Sequence, residues 1–305
     1  MGRFLLGRLG QTAVLLLLLS FFVFLLVDSI PGDYLAEMEF TAAIPRPQVE
    51  ELRRDLGLDQ PFYIQYASWL SGLVQGDLGY SFAQRRPANQ LILERLSNTL
   101  WLASGAFVMI LLITFPAGIA AAVHPGGWID RAVLTFSLVG LSLPSLLLGL
   151  GGLYLAFRSG WFPIGGMGSL RHLFLPALSL AIPASAYLVR QLRLEMMDAL
   201  EMPHVQAARA RGLPPHRVVL HALRSALNPM ISLLGVAWGA LLSGAVVVER
   251  IFGWPGLGDL VVESLSNRDL FVVLNSVLVA AVFVVLSNLA ADFLLALNDP
   301  RIRNR

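Results

Sequence analysis

Six long uncharged apolar runs divide this chain, and short polar stretches separate them. The runs cover 9–27, 96–129, 132–157, 172–189, 225–248 and 270–291. Each supplies the eighteen or so residues that a helix needs to cross about 30 Å of hydrocarbon. The pattern therefore predicts six transmembrane helices. The second run exceeds a span, so Ser97, Asn98 and the stretch His124-Pro125-Gly126-Gly127 are expected at its interfaces. The fourth is the weakest, because Pro176 and Pro183 interrupt it, although neighbouring helices in a bundle can absorb such kinks. Arg3 and Arg8 precede the first run, as they would in a signal peptide. That run is long, however, and Val27-Asp28-Ser29-Ile30-Pro31 offers no small-residue cleavage site, so it reads as an uncleaved anchor.

Two polar stretches carry patterns of their own. In the segment after the first run, Pro45 and Pro47 precede a helical pattern from Gln48 to Leu56, which Gly57 ends. An aromatic stretch follows at 61–74, with Phe62, Tyr63, Tyr66 and Trp69. It reads either as part of a folded cap or as an interfacial aromatic belt. In the longest loop of the other side, 195–229, Pro203 suits the first position of a short helix reaching Arg211, with Glu201 near its positive end. Gly212 suits the left-handed residue after a helix, and Pro214-Pro215 prevent continuation. A further helical pattern, His216 to Leu227, leads through Pro229 into the fifth span. A helix of eight or nine residues is marginal alone in water, so the short one must dock on something. The chain divides into a terminus and first span (1–30), an extracytoplasmic segment (31–95), a core of five spans (96–299) with its loop at 193–228, and a tail (300–305).

Composition narrows the chemistry. Of 305 residues 56% are hydrophobic and 14% charged, against about 45–50% and 25% in soluble domains. The solvent of such a chain is largely lipid. Cysteine is absent, which excludes disulfides, thiolate metal sites and cysteine nucleophiles. Lysine is absent too, so a phosphate loop of Walker A type and Schiff-base chemistry have no residue to use. The net charge of +2 argues for no nucleic-acid partner. Twelve Arg collect on one side, at Arg3, Arg8, Arg131, the six from Arg190 to Arg224, Arg301, Arg303 and Arg305. The opposite short loops hold Arg158, Arg171, Arg250 and Arg268, which places both termini in the cytoplasm by the positive-inside rule. The five histidines form no H-E-x-x-H pattern, so no metal site is expected. Glu249 and Asp292 lie at the ends of spans, not at midplane, which weighs against an ion-coupled secondary transporter working without ATPase subunits.

Several stretches carry a family resemblance. Gln206-Ala207-Ala208-Arg209-Ala210-Arg211-Gly212, followed by His221-Ala222-Leu223-Arg224-Ser225-Ala226-Leu227-Asn228-Pro229, resembles the EAA loop of ABC importer permeases. The form is closest to that of dipeptide and oligopeptide permeases, B-type subunit. Asp28-Ser29-Ile30-Pro31-Gly32-Asp33, Gly76-Asp77-Leu78-Gly79-Tyr80-Ser81, the run from Val248 to Gly258 and the closing Asp299-Pro300-Arg301-Ile302 extend it over nearly the whole chain. Gln206 stands where the general motif has Glu, and Ser225 where it has Pro.

The resemblance implies an all-α polytopic membrane protein of the type I importer (MetI-like) permease fold. It implies transport of peptides or related small solutes, and a bacterial inner-membrane location. A homologous second permease, two ABC ATPase subunits that bind ATP and Mg, and an extracytoplasmic solute-binding protein would be partners, leaving this chain without cofactor or catalytic residue. The stretch Val205 to Leu213 (Val205, Gln206, Ala207, Ala208, Arg209, Ala210, Arg211, Gly212, Leu213) would be the ATPase-coupling helix. Its Arg would reach carboxylates bidentately, the alternative being contact with anionic headgroups. In the third span Pro144, Gly149 and Gly152 either permit close helix packing or line the path. Trp254 and Pro255 either gate the path or simply make a turn.

Overall fold

The structure, a computed structural model, describes residues 2–30, 46–55 and 57–298. The expectations for Pro31-Gly32-Asp33, Pro45, Leu56 and the tail from Asp299 to Arg305 lie outside the described residues. In chain order the elements are α1 (Gly2–Asp28), α2 (Arg46–Asp55), α3 (Phe62–Val74), β1 (Tyr80–Ser81), β2 (Arg86–Pro87), α4 (Ala88–Val123), α5 (Trp128–Ser142), α6 (Ser145–Ser159), α7 (Leu170–Glu201), α8 (Pro203–Ala210), α9 (Pro215–Phe252), α10 (Leu257–Ser266) and α11 (Leu270–Asn298). The two strands form one antiparallel pair, with Ser81 opposite Arg86.

Among the described residues five helices are each long and apolar enough to cross a membrane: α1, α4, α7, α9 and α11. The run 132–157, expected as a single span, is the pair α5–α6, bent by 100°, which taken as one broken span makes the sixth. Each member has 15 residues, about 22 Å of helix, short of the hydrocarbon thickness. The break has a local cause. Pro144 opens α6 and drives Leu143 before it into an extended conformation, φ −96° and ψ 113°. Proline acts differently in α7, which runs unbroken through Pro176 and Pro183 and is the most buried of the five long helices. The run that looked weakest is thus the centre of its bundle. Likewise α9 continues through Pro229 and joins the expected loop helix to the fifth span. The helix α4 begins at Ala88, ahead of its apolar run, and α10 follows Trp254 and Pro255 where no helix was expected.

Packing divides the chain into two units, one of Met1–Leu5, Leu100–Trp254 and Phe283–Arg305, the other of Leu6–Thr99 and Pro255–Val282. In the first, α7 supplies Leu188, Leu192 and Met196 to a core shared with Leu102 and Ile110 of α4 and Ala222 and Met230 of α9. Small residues set the spacing. A Cβ at Gly105 would lie 2.9 Å from Leu173, and one at Gly118 3.0 Å from Leu192.

Aromatic rings dominate the second unit. Phe24 of α1 sits with its ring 5.4 Å from Phe62, 5.5 Å from Tyr66 and 5.4 Å from Trp69 of α3. The polar ends of these rings are satisfied inside the unit. Tyr66 shares a 2.9 Å hydrogen bond with Ser20, and Trp69 Nε1 donates to Asn275 Oδ1 at 3.1 Å. Asn275 in turn donates to the carbonyl of Leu78. The aromatic stretch is therefore a folded element anchored through hydrogen bonds. Buried Asp269 accepts from Ser81 Oγ at 2.7 Å, and Arg95 lies 3.6 Å from Asp259 and 3.5 Å from Glu263, neighbours on one face of α10.

Gly140 gives a direct test of the packing in the first unit. A Cβ there would lie 2.6 Å from Ala186 Cβ, so Gly140→Val forces α5 away from α7. We expect a loss of about 1–3 kcal/mol, read as a lower thermal midpoint in detergent. Gly151, with nothing within 4 Å of its Cβ position, is the control, and Gly151→Val should leave the midpoint unchanged.

Candidate functional site: a short helix pinned from beneath

The helix α7 stops at Glu201 because Met202 precedes Pro203 and takes an extended conformation, ψ 141°. Pro203 then opens α8 at the position where a missing N–H costs nothing. The carbonyl of Met202 accepts from Val205 N and Gln206 N, both at 3.0 Å, and closes the first turn. Val205 is the one fully buried residue of α8, set in the core that holds Met196, Ala199, Val218 and Ala222. Burial of one such side chain contributes about 1.5–3 kcal/mol.

Two side chains tie α8 to the helices on either side of it. Gln206 Nε2 donates to the carbonyl of Leu200 on α7 at 3.0 Å. His204 Nε2 and Ser225 Oγ on α9 lie 3.1 Å apart in a hydrogen bond. Gln206 and Ser225 are the two positions that depart from the general EAA motif, and here both make hydrogen bonds that seat the helix. No ion pair is needed at Gln206.

The far end of α8 closes by a double hydrogen bond. Leu213 N donates to Ala208 O at 3.3 Å and Gly212 N to Arg209 O at 3.0 Å, with Gly212 at φ +78°. This is the Schellman arrangement, and it needs a residue that accepts positive φ. Leu213, directed inward by the turn, packs half-buried against the same core. Val205 and Leu213 thus pin the helix at both ends. Between them Ala207, Arg209, Ala210 and Arg211 are exposed and Ala208 is half-buried. The result is a shallow shelf of small residues flanked by two guanidinium groups, suited to a close-fitting acidic surface.

Nearby, Arg193 of α7 grips Asp130 in the first turn of α5. Nε donates to Oδ1 and Nη2 to Oδ2, the latter at 2.8 Å, while Gly126 N donates to Oδ2 at 2.8 Å. Sequence reasoning missed this pair. Arg193 read as one of six loop cations, and a separation of 63 residues leaves no local pattern.

The residues considered for a path are placed as follows. Pro144 opens α6. A Cβ at Gly149 would meet Ile251 at 3.2 Å, and one at Gly152 would meet Phe252 at 3.4 Å, so both are points of close approach to the end of α9. Trp254 is buried, and its N–H donates to Glu249 O at 2.8 Å. The carbonyl of Pro255 accepts from Asn98 Nδ2 at 2.8 Å. In the second unit a cavity of about 510 Å³, bordered by Trp69, Phe271, Arg53, Arg268 and Asp269, was also not read from the sequence.

Long apolar helices, with a short, pinned and outwardly exposed helix in one loop, are the build of a polytopic membrane protein. Residues 114–304 match the family described as "Binding-protein-dependent transport system inner membrane component", and residues 1–103 its N-terminal counterpart. The chain belongs to this family: it is a membrane-spanning permease subunit of an ABC importer, a bacterial inner-membrane protein that works with other components of such a transporter. It is 37% identical over 315 residues to the oligopeptide transport system permease protein AppB of Bacillus subtilis (strain 168), covering 99% of both chains. It is also 37% identical over 308 residues to the glutathione transport system permease protein GsiC of Escherichia coli (strain K12), again covering 99% of both. Among solved structures, the inward-facing MetNI methionine ABC transporter superposes with a TM-score of 0.58 at 18% identity, covering 69% of this chain and 97% of that one. That likeness concerns the fold.

The closing turn of α8 can be tested in the chain alone. Gly212 has open space around its Cβ position, so substitution there strains only the backbone. Gly212→Val should cost about 1–3 kcal/mol locally and fray the end of α8. Trypsin should then cut at Arg209 and Arg211 several-fold faster than in the parent chain, with the thermal midpoint nearly unchanged. Gly212→Asn, which tolerates positive φ, should keep the parent rate.

Proposed function

We propose that this chain forms one half of the translocation path of an ATP-driven importer for di- or oligopeptides or related small solutes, and that α8 is the helix through which ATPase subunits drive it. The observation that carries the reading is the build of α8. Val205 is fully buried while Ala207, Arg209, Ala210 and Arg211 lie exposed. The buried anchor and the two side-chain ties hold this short helix ordered while its outer face stays exposed. Pinned from beneath, it moves with α7 and α9 when a partner pushes on it.

The complete transporter in this reading pairs the chain with a homologous permease, two ABC ATPase subunits and an extracytoplasmic solute-binding protein. ATP and Mg belong to the ATPase subunits, since this chain has no lysine for a phosphate loop. The distribution of Arg supports a cytoplasmic position for both termini and α8. Transport is a shift between two packings of the bundle, biased by ATP on one side and by the docked binding protein on the other. Relatives named for oligopeptide and glutathione transport support peptides as cargo, glutathione itself being a tripeptide.

Purification and reconstitution decide the matter. Expressed with its neighbours, the chain should co-purify with a second permease and two ATPase subunits, and in vesicles import a tripeptide only with ATP and binding protein. Purified alone it should hydrolyse no ATP above background. Uptake by the single chain, driven by an ion gradient, would establish a secondary carrier instead.

A further inference from the structure

The pair Asp130–Arg193 is built more rigidly than anchoring requires. Asp130 is 2% exposed, and the Arg193 side chain 14%. Both carboxylate oxygens are engaged, one by Nε and the other by Nη2 and by the Gly126 amide. A fork of two parallel hydrogen bonds fixes orientation as well as distance. Rotation of α7 against α5 breaks both at once. Adhesion between the two helices is already secured elsewhere, by Val133 packed with Ala121 and Val189, and by Gly140 against Ala186. A buried ion pair adds little net stability over an apolar contact, and what it adds is a defined geometry.

The position of the clasp gives that geometry a use. Arg193 lies nine residues before Met202, about 13 Å along α7 from the start of α8. Val205 of α8 shares its core with Met196 and Ala199, on the turns of α7 between Arg193 and α8. Asp130 sits in the first turn of α5, which bends by 100° into α6, whose Gly149 and Gly152 meet Ile251 and Phe252 at the end of α9. A displacement of α8 therefore has a continuous packed route to the bent pair, and Asp130–Arg193 is a charged link in it.

We propose that the Asp130–Arg193 clasp is a positioning pair of the transport cycle: it delivers movement of α8 to the α5–α6 bend, so that its loss uncouples ATP turnover from import. This rests on the importer reading above. Without the clasp, the loop 124–127 absorbs the displacement, and ATPase subunits turn over while the bundle stays in one packing.

The test uses the complete transporter in vesicles with binding protein and a tripeptide, and reads peptides imported per ATP hydrolysed. Wild type must first show ATP-dependent import; its failure would overturn the importer reading and not the clasp. Asp130→Asn, which keeps volume and loses charge, should assemble normally and keep its ATPase rate within about twofold, with the coupling ratio lowered about fivefold. Arg193→Gln should behave alike, and the double variant should be no worse than either single one, because the two act as a unit. An unchanged ratio, or import and ATP hydrolysis falling in equal proportion, would overturn the proposal. Should Asp130→Asn fail to assemble, Arg193→Lys, which keeps the charge but loses the fork, carries the same test. It should give an intermediate ratio, and a wild-type ratio would overturn the clasp.

Discussion

A helix end leaves carbonyls without intrahelical partners, so a connection packed against its helices must satisfy them from within. The same turn closes α2, α3, α8, α9 and α10. After α8, α9 and α10, a residue just beyond the helix donates back five positions while the residue before it takes positive φ. Leu213 donates to Ala208, Trp254 to Glu249 and Asp269 to Ser264. The residues at positive φ are Gly212, Gly253 and Arg268. In each case the residue that follows becomes an anchor. Leu213 packs on the first core, Trp254 is buried in it, and Asp269 is buried in the second unit as acceptor for Ser81. The turn thus satisfies orphan carbonyls and aims the chain inward in one step.

For α8 this constraint has a functional consequence. Eight residues of helix have little stability of their own, yet the segment holds an ordered, exposed face. Its order comes from Val205, from the closing turn at Gly212, and from the Gln206 and His204 hydrogen bonds to the helices on either side. The same features that stabilise it make it a rigid extension of α7 and α9. Force applied to Ala207 or Arg209 has no soft joint at which to dissipate.

The local chemistry of these junctions was legible in the sequence, because Pro203, Gly212 and Pro214-Pro215 act within a few residues of themselves. Apolar run lengths located the five long helices for the same reason. Proline in mid-run was read less well. Pro144 and Pro176 look alike in sequence, yet one breaks its run by 100° and the other sits inside an unbroken, buried helix. The difference lies in neighbours: α7 is enclosed on several sides, whereas the bend at Leu143 has no such enclosure to hold it straight. Long-range polar contacts left no trace at all. Asp130–Arg193, Trp69–Asn275 and Ser81–Asp269 join residues 63, 206 and 188 positions apart. Nor could Arg268 be foreseen at a position where glycine is usual.

The central claim is that the exposed face of α8 is the seat of an ATPase subunit. The absence of native cysteine permits a clean measurement, with a single cysteine placed at Ala207 and labelled by a thiol reagent in the purified permease and in the assembled transporter. Rapid labelling of the permease alone, and protection of the same cysteine once the ATPase subunits are bound, is the result expected. Equal labelling rates in both states, with a complex shown to be intact, would contradict it.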